Sequence, residues 1–153
     1  MIIYYFAIMT KSPLYLDGLR VGLQEKFPSV NITQDMRDEH VRLYGEDWPA
    51  ADLDQILKEG IVPSTLIISI LGGQMGASNW LGIKFMKGYD AKFVEPIKVG
   101  DSIHTINTIT DVLPHKDPAK DYGYASVHQD VFNQDSSVVY TRDLRYAIRK
   151  SGE

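Results

Sequence analysis

Cysteine is absent from this chain. That zero excludes disulfides, thiolate metal sites and cysteine nucleophiles together. It also fits a reducing compartment. An excess of positive charge is missing too: 16 Lys and Arg stand against 20 Asp and Glu, a net charge of −4. Nucleic-acid binders select for basic patches, so this balance argues against such a partner. The apolar start, Met1 to Met9, falls far short of the ~20 residues that a membrane-spanning helix needs. No G-x-G-x-x-G, P-loop, G-x-S-x-G or H-E-x-x-H motif is present. Nucleotide-fold, serine-hydrolase and zinc-hydrolase readings therefore have no support. Internal repeats, low-complexity segments and charge blocks are also lacking.

What is present is an ordinary globular composition over 153 residues, 44% hydrophobic and 24% charged. A disordered chain is excluded, and one core without staples is expected. The opening run has no basic residue ahead of it and no small-x-small site after it, so it is a poor signal peptide. It reads as an edge strand or tail packed on the domain, or as an extension upstream of a natural start at Met9. Residues 1–153 are thus one domain, with residues 1–10 as that tail or extension. Ser151-Gly152-Glu153 is expected to be mobile, and the cytoplasm is the expected location.

Along the chain, Gln24 to Ile32 reads as extended, and Pro28 makes it an edge or bulged strand. Thr33 is the expected N-cap of a helix with Asp35 in its first turn. Met36, His40, Leu43 and Tyr44 share one face of that helix, and Gly45 ends it. A loop Glu46-Asp47-Trp48-Pro49 follows. A short helix then runs from Ala50 to Lys58 and stops at Gly60. Ser64 is the expected N-cap of a third helix reaching Trp80, apolar on most sides and so read as buried. Its small residues Gly72, Gly73, Gly76 and Ala77 suit the close approach of another backbone. After it the period changes to strands at Ile83–Val94, Ser102–Leu113, Tyr122–Phe132 and Val138–Arg149. On the last strand Val138, Tyr140, Leu144, Tyr146 and Ile148 share one face, with Arg142 the exception. The order predicts an α+β fold: an antiparallel sheet with the apolar helix on one face.

Gly60-Ile61-Val62-Pro63, the apolar helix and the stretch Phe93-Val94-Glu95-Pro96-Ile97-Lys98-Val99-Gly100-Asp101 resemble the MaoC-like hot-dog proteins. That family includes (R)-specific enoyl-CoA hydratases and 3-hydroxyacyl dehydratases. It commonly carries F-x-x-P-(V/I)-x-x-G-D after its central helix, and FVEPIKVGD stands whole here. The resemblance implies a hot-dog fold, in which an antiparallel sheet wraps a long central helix. It also implies a dimer, or pairing with another hot-dog subunit.

The family's chemical motif, T-G-D-x-N-P-x-H, is altered. Setting Pro49 on its proline places Gly45 on the glycine and Glu46 on the Asp. Trp48 then stands on the Asn and Ala51 on the His. The carboxylate is one methylene longer and the imidazole is gone. A shift of one residue puts Asp47 on the Asp but loses Pro49.

The resemblance makes Glu46, with Asp47 beside it, the candidate catalytic carboxylate. Trp48 is either an apolar wall that raises a carboxyl pKa or a plug in the substrate's space. It also makes the backbone N–H groups at Ser64 and Thr65 the candidate oxyanion site. Without that resemblance, Glu46 and Asp47 read as solvated turn residues, and Ser64 and Thr65 as a cap. His40 reads as a core histidine with one satisfied nitrogen. His104, His115 and His128 lack metal-ligand spacing, and one of them near the pocket would replace the missing imidazole. Gln74, Ser78 and Asn79 read as helix-surface or dimer contacts.

Three functions remain open. The first is a MaoC-type hydratase or dehydratase acting on an acyl thioester of CoA or acyl carrier protein. The second is a non-catalytic hot-dog subunit or thioester-binding protein that pairs with an active homologue. The third is a hot-dog thioesterase. None of the three calls for a metal or redox cofactor, a nucleic acid or a membrane.

Overall fold

The computed structural model describes residues 12–151. The readings of residues 1–10 and of Gly152 and Glu153 fall outside them. Alternation of buried and half-exposed positions, unbroken along β4 (Tyr122–Phe132) and over the first eight residues of β3 (Ser102–Leu113), marks both as strands covered on one face only. With β1 (Gln24–Asn31), β2 (Ile83–Phe93) and β5 (Val138–Arg149) they form one antiparallel sheet of order β1-β3-β4-β5-β2. β1 and β2 are its edges. Pro28 sits where the ladder of β1 shifts register, between Phe27 and Val30. A proline has no N–H to give a central strand, so this strand is both edge and bulged, as expected.

Three helices lie between β1 and β2: α1 (Gln34–Tyr44), α2 (Ala50–Glu59) and α3 (Ser64–Ser78). Thr33 caps α1, its Oγ1 accepting from Met36 N–H at 3.2 Å. Gly45 and Gly60, both at positive φ, end α1 and α2. The expected cap of α3 needs correction. Pro63 is the N-cap and Ser64 the first helical residue. A proline offers no side-chain acceptor, so the helix start takes one from the Asp47 loop, described below. The helix also stops sooner than expected, at Ser78, because Asn79 turns left-handed.

The inner face of the sheet carries two apolar clusters. Leu66, Ile67 and Leu71 of α3 pack on Ile103, Val131 and Tyr140. Met75 and Trp80 pack on Ile109, Val127 and Leu144. Each fully buried Ile or Leu contributes about 1.5–3 kcal/mol. A buried polar row also links four strands. Asn107 Nδ2 donates to Glu25 O at 3.3 Å, Gln129 Nε2 donates to Asn107 Oδ1, and Arg142 Nε donates to Gln129 Oε1. Arg142, the exception in its strand's pattern, faces inward and is only 5% exposed. Burial holds its guanidinium below its usual pKa and pushes the Tyr140 and Tyr146 phenols up.

One face of α3 is not buried. Gly72, Gly73, Gly76 and Ala77 are exposed, and a Cβ at any of the three glycines would meet nothing within 4 Å. Among the described residues, no other backbone lies against this face. No described helix is long and apolar enough to cross a membrane.

The FVEPIKVGD stretch fixes the entry to α3. Ile97 O accepts from Val62 N–H at 3.0 Å, and Val99 N–H donates to Gly60 O at 2.8 Å. Asp101 Oδ2 accepts from Lys98 N–H at 2.8 Å across the turn, and Gly100 takes the positive φ that the turn requires.

Candidate functional site

Residues of α1, of the bulged part of β1 around Pro28 and of α3 face one space. Between these three elements lies a cavity of about 640 Å³. The face predicted for α1 forms one wall: Met36, His40, Leu43 and Tyr44. Phe27, Pro28 and Val30 of β1 form a second, and Leu66 and Ile70 of α3 a third. Gln74 spans from α3 to the bulge, its Nε2 donating to Pro28 O at 3.0 Å. Gln74 and Ser78 therefore line the cavity. The walls are apolar, with few polar atoms placed among them, as in sites that take small molecules.

At the α3 end the loop carboxylates part company. Asp47 turns to the helix start, where its Oδ2 accepts from both Ser64 N–H and Ser64 Oγ. Its Oδ1 accepts from Thr65 Oγ1 at 3.2 Å. A carboxylate is favoured there by the partial positive charge of the helix N-terminus. It also occupies the Ser64 N–H that was a candidate oxyanion donor.

Glu46 turns the other way. Arg37 Nη2 donates to Glu46 Oε1 at 2.7 Å, and Arg37 Nε donates to Ile61 O at 3.2 Å. The second oxygen of Glu46 and the indole nitrogen of Trp48 are buried with no hydrogen-bond partner among the described residues. Of the five candidate residues, the structure thus joins Asp47, Ser64 and Thr65, while Glu46 is held by α1. None of the five borders the cavity; the first residue of α3 that does is Leu66, next to Thr65.

Two residues that sequence reasoning left out of the site belong beside it. Arg37 is 3% exposed and ties α1, the Glu46 loop and the strand-like entry to α3 together. His40 is 6% exposed, borders the cavity and lies with Nε2 2.8 Å from Thr65 Oγ1. The signal was their spacing. Arg37 stands three residues before His40, so it flanks the apolar face that carries His40, and polar side chains in such positions need a reason.

The other histidines stand elsewhere. His104 and His128 sit at outward positions of β3 and β4, with the sheet between them and α3. His104 stacks on Phe132 with ring centroids 5.2 Å apart. His115, in the β3–β4 loop, packs edge-on to Tyr122. His128 pairs with Asp143 at 2.7 Å and Asp130 at 3.1 Å. None of the three replaces an imidazole at the cavity; the histidine there is His40. Among the described residues, no group of three His, Asp or Glu is placed to hold a metal ion.

The chain matches no protein-family model and no curated protein. Solved structures do match. The monoamine oxidase regulatory protein from Archaeoglobus fulgius is similar with a TM-score of 0.78 and 21% identity, over 94% of this chain and 99% of that one. The MaoC-like dehydratase from Rhodospirillum rubrum has a TM-score of 0.77 and 17% identity, over 92% and 99%. A Mycobacterium tuberculosis protein described as a double hot-dog fold has a TM-score of 0.76 and 18% identity, over 92% of this chain and 46% of its own. The chain has the hot-dog fold. α3 is its central helix, and the five strands are its wrap. The expected fold class is the observed one, and this chain spans one of the two repeats in the double protein.

Proposed function

We propose that the chain is a MaoC-type hydratase or 3-hydroxyacyl dehydratase acting on an acyl thioester. The observation that carries this reading is the apolar cavity between α1, β1 and α3, with the start of the central helix at one end. In this reading the acyl tail lies along the apolar walls and the thioester reaches past Leu66 and His40 towards the start of α3. The charge that develops on the thioester oxygen during proton removal at C2 is where stabilisation matters most. With Ser64 N–H taken by Asp47, the donor assigned to that oxygen is Thr65 N–H. The dehydratase name of the Rhodospirillum rubrum structure supports the reading. CoA and acyl carrier protein are both suitable carriers, and no further cofactor is assigned.

Glu46 favours a second reading. A carboxylate locked to Arg37, with alanine where the family has histidine, suits a non-catalytic subunit that binds a thioester beside an active partner. One experiment separates the two. The purified chain is titrated with saturated hexanoyl-CoA and, separately, assayed for hydration of trans-2-hexenoyl-CoA. Binding with turnover supports the enzyme. Binding without turnover supports the subunit. Absence of both removes the thioester reading.

The assembly assigned here is a pair of hot-dog units, as a homodimer or with a related subunit. The double hot-dog of Mycobacterium tuberculosis carries two such units in one chain. The exposed edge β2 is the surface that a second unit would cover.

A further inference from the structure

The imidazole missing from the altered loop has a substitute on the preceding helix. We infer that His40 is the acid–base group of the cavity, held in one tautomer by Thr65 and Asp47. The inference rests on the acyl-thioester reading above.

The proton count fixes the tautomer. Thr65 has one hydroxyl proton, and it goes to Asp47 Oδ1 at 3.2 Å. An ionised carboxylate only accepts, so Thr65 Oγ1 has lone pairs alone to offer to His40 Nε2 at 2.8 Å. Nε2 therefore carries the proton and donates. Nδ1 is left as the basic nitrogen of a neutral imidazole. The three groups also run from a buried residue to an exposed one, since His40 is buried and Asp47 lies on the surface. His40 touches the cavity. Thr65 and Asp47 act through it as positioning residues.

The reaction needs no co-reactant. In dehydration of a 3-hydroxyacyl thioester, the C2–H bond breaks and its proton passes to Nδ1. The electron pair left at C2 becomes the C2=C3 double bond as the C3–O bond breaks. The departing hydroxyl takes the proton back from Nδ1 and leaves as water. Hydration is the reverse, and the imidazole ends as it began.

The test uses the full chain and three readouts. Hydration of trans-2-hexenoyl-CoA is measured against pH for the wild type, His40→Gln, Thr65→Val and Thr65→Ser. Hexanoyl-CoA binding is measured for each by calorimetry. The tautomer is read from the ¹⁵N shifts of the His40 ring, a measurement independent of turnover.

His40→Gln is expected to lower kcat by about 10²–10⁴-fold, to abolish the imidazole limb of the pH profile, and to leave hexanoyl-CoA binding in place. Thr65→Val is expected to move that limb and mix the tautomers, and Thr65→Ser to restore both. Should His40→Gln fail to fold, the Thr65 pair and the ring shifts still decide. Hexanoyl-CoA binding with turnover indifferent to His40, or an Nδ1–H ring in the wild type, overturns the inference and spares the thioester reading. Loss of both binding and turnover in the wild type overturns the two together.

Discussion

Arg37 holds Glu46 in an ion pair of 2.7 Å, with side chains 4% and 15% exposed. The same guanidinium reaches Ile61 O, so one side chain on α1 fixes both the altered loop and the entry to the central helix. Removing one partner of such a pair leaves a buried charge uncompensated, which costs about 3–5 kcal/mol. Arg37→Met is therefore expected to lower the unfolding free energy in urea by roughly that amount. Replacing both partners, Arg37→Met with Glu46→Leu, is expected to recover part of the loss. A single change costing less than about 1 kcal/mol, as an exposed pair does, would show that the clamp is not a fixed part of the fold.

The architecture was legible because its signals are local. Alternation along β3 and β4, Gly45, Gly60 and Gly100 at the turns, and Pro28 in an edge strand each act within a few residues. The helix ends were less so, since the start of α3 is capped by Asp47, which is distant in sequence. The site was legible only in part for the same reason. Aligning Glu46 on a motif says which residue occupies a position, but not that Arg37 from the previous helix will take its carboxylate. His40 read as core by its face, and it is buried. That its ring meets Thr65 across 25 positions depends on how α1 crosses α3, which no local pattern encodes.

The edge strand β2 is expected to join a second copy. Met86, Tyr89 and Phe93 on it are exposed, and its outer backbone edge has no neighbouring strand among the described residues. Such an edge invites pairing, and lysine on it discourages pairing. Sedimentation of the wild type at micromolar concentration should give twice the mass of the chain. Tyr89→Lys should shift the population towards monomer. A wild type that sediments only as monomer removes β2 as an interface between copies.

Stability should also depend on pH through His128. Its hydrogen bond to Asp143 raises the imidazole pKa above the ordinary value, partial burial opposes this, and Asp130 adds to the rise. A raised pKa in the folded state means that the stabilisation is complete below the unfolded value of about 6.5. It is lost as pH climbs through the folded value. Urea midpoints of wild type and His128→Gln should therefore differ most under mildly acidic conditions and converge at alkaline pH. A difference that stays constant from acid to alkali would assign the His128 contribution to packing.

Gly73 offers a test of the cavity that separates stability from binding. It stands inside α3, lines the cavity, and a Cβ built on it meets nothing within 4 Å. Glycine inside a helix is less favourable than alanine by roughly 0.5–1 kcal/mol. Gly73→Ala is thus expected to raise stability by about that amount, with hexanoyl-CoA binding retained. Gly73→Leu keeps the helical preference but sends a branched side chain into the space assigned to the acyl tail. Its fold should persist by circular dichroism while hexanoyl-CoA affinity falls, more steeply for longer acyl chains than for acetyl-CoA. If the leucine variant binds every chain length as the wild type does, the acyl tail lies elsewhere. If the alanine variant is destabilised instead, a second copy is seated on that face of α3 and the methyl group meets its backbone.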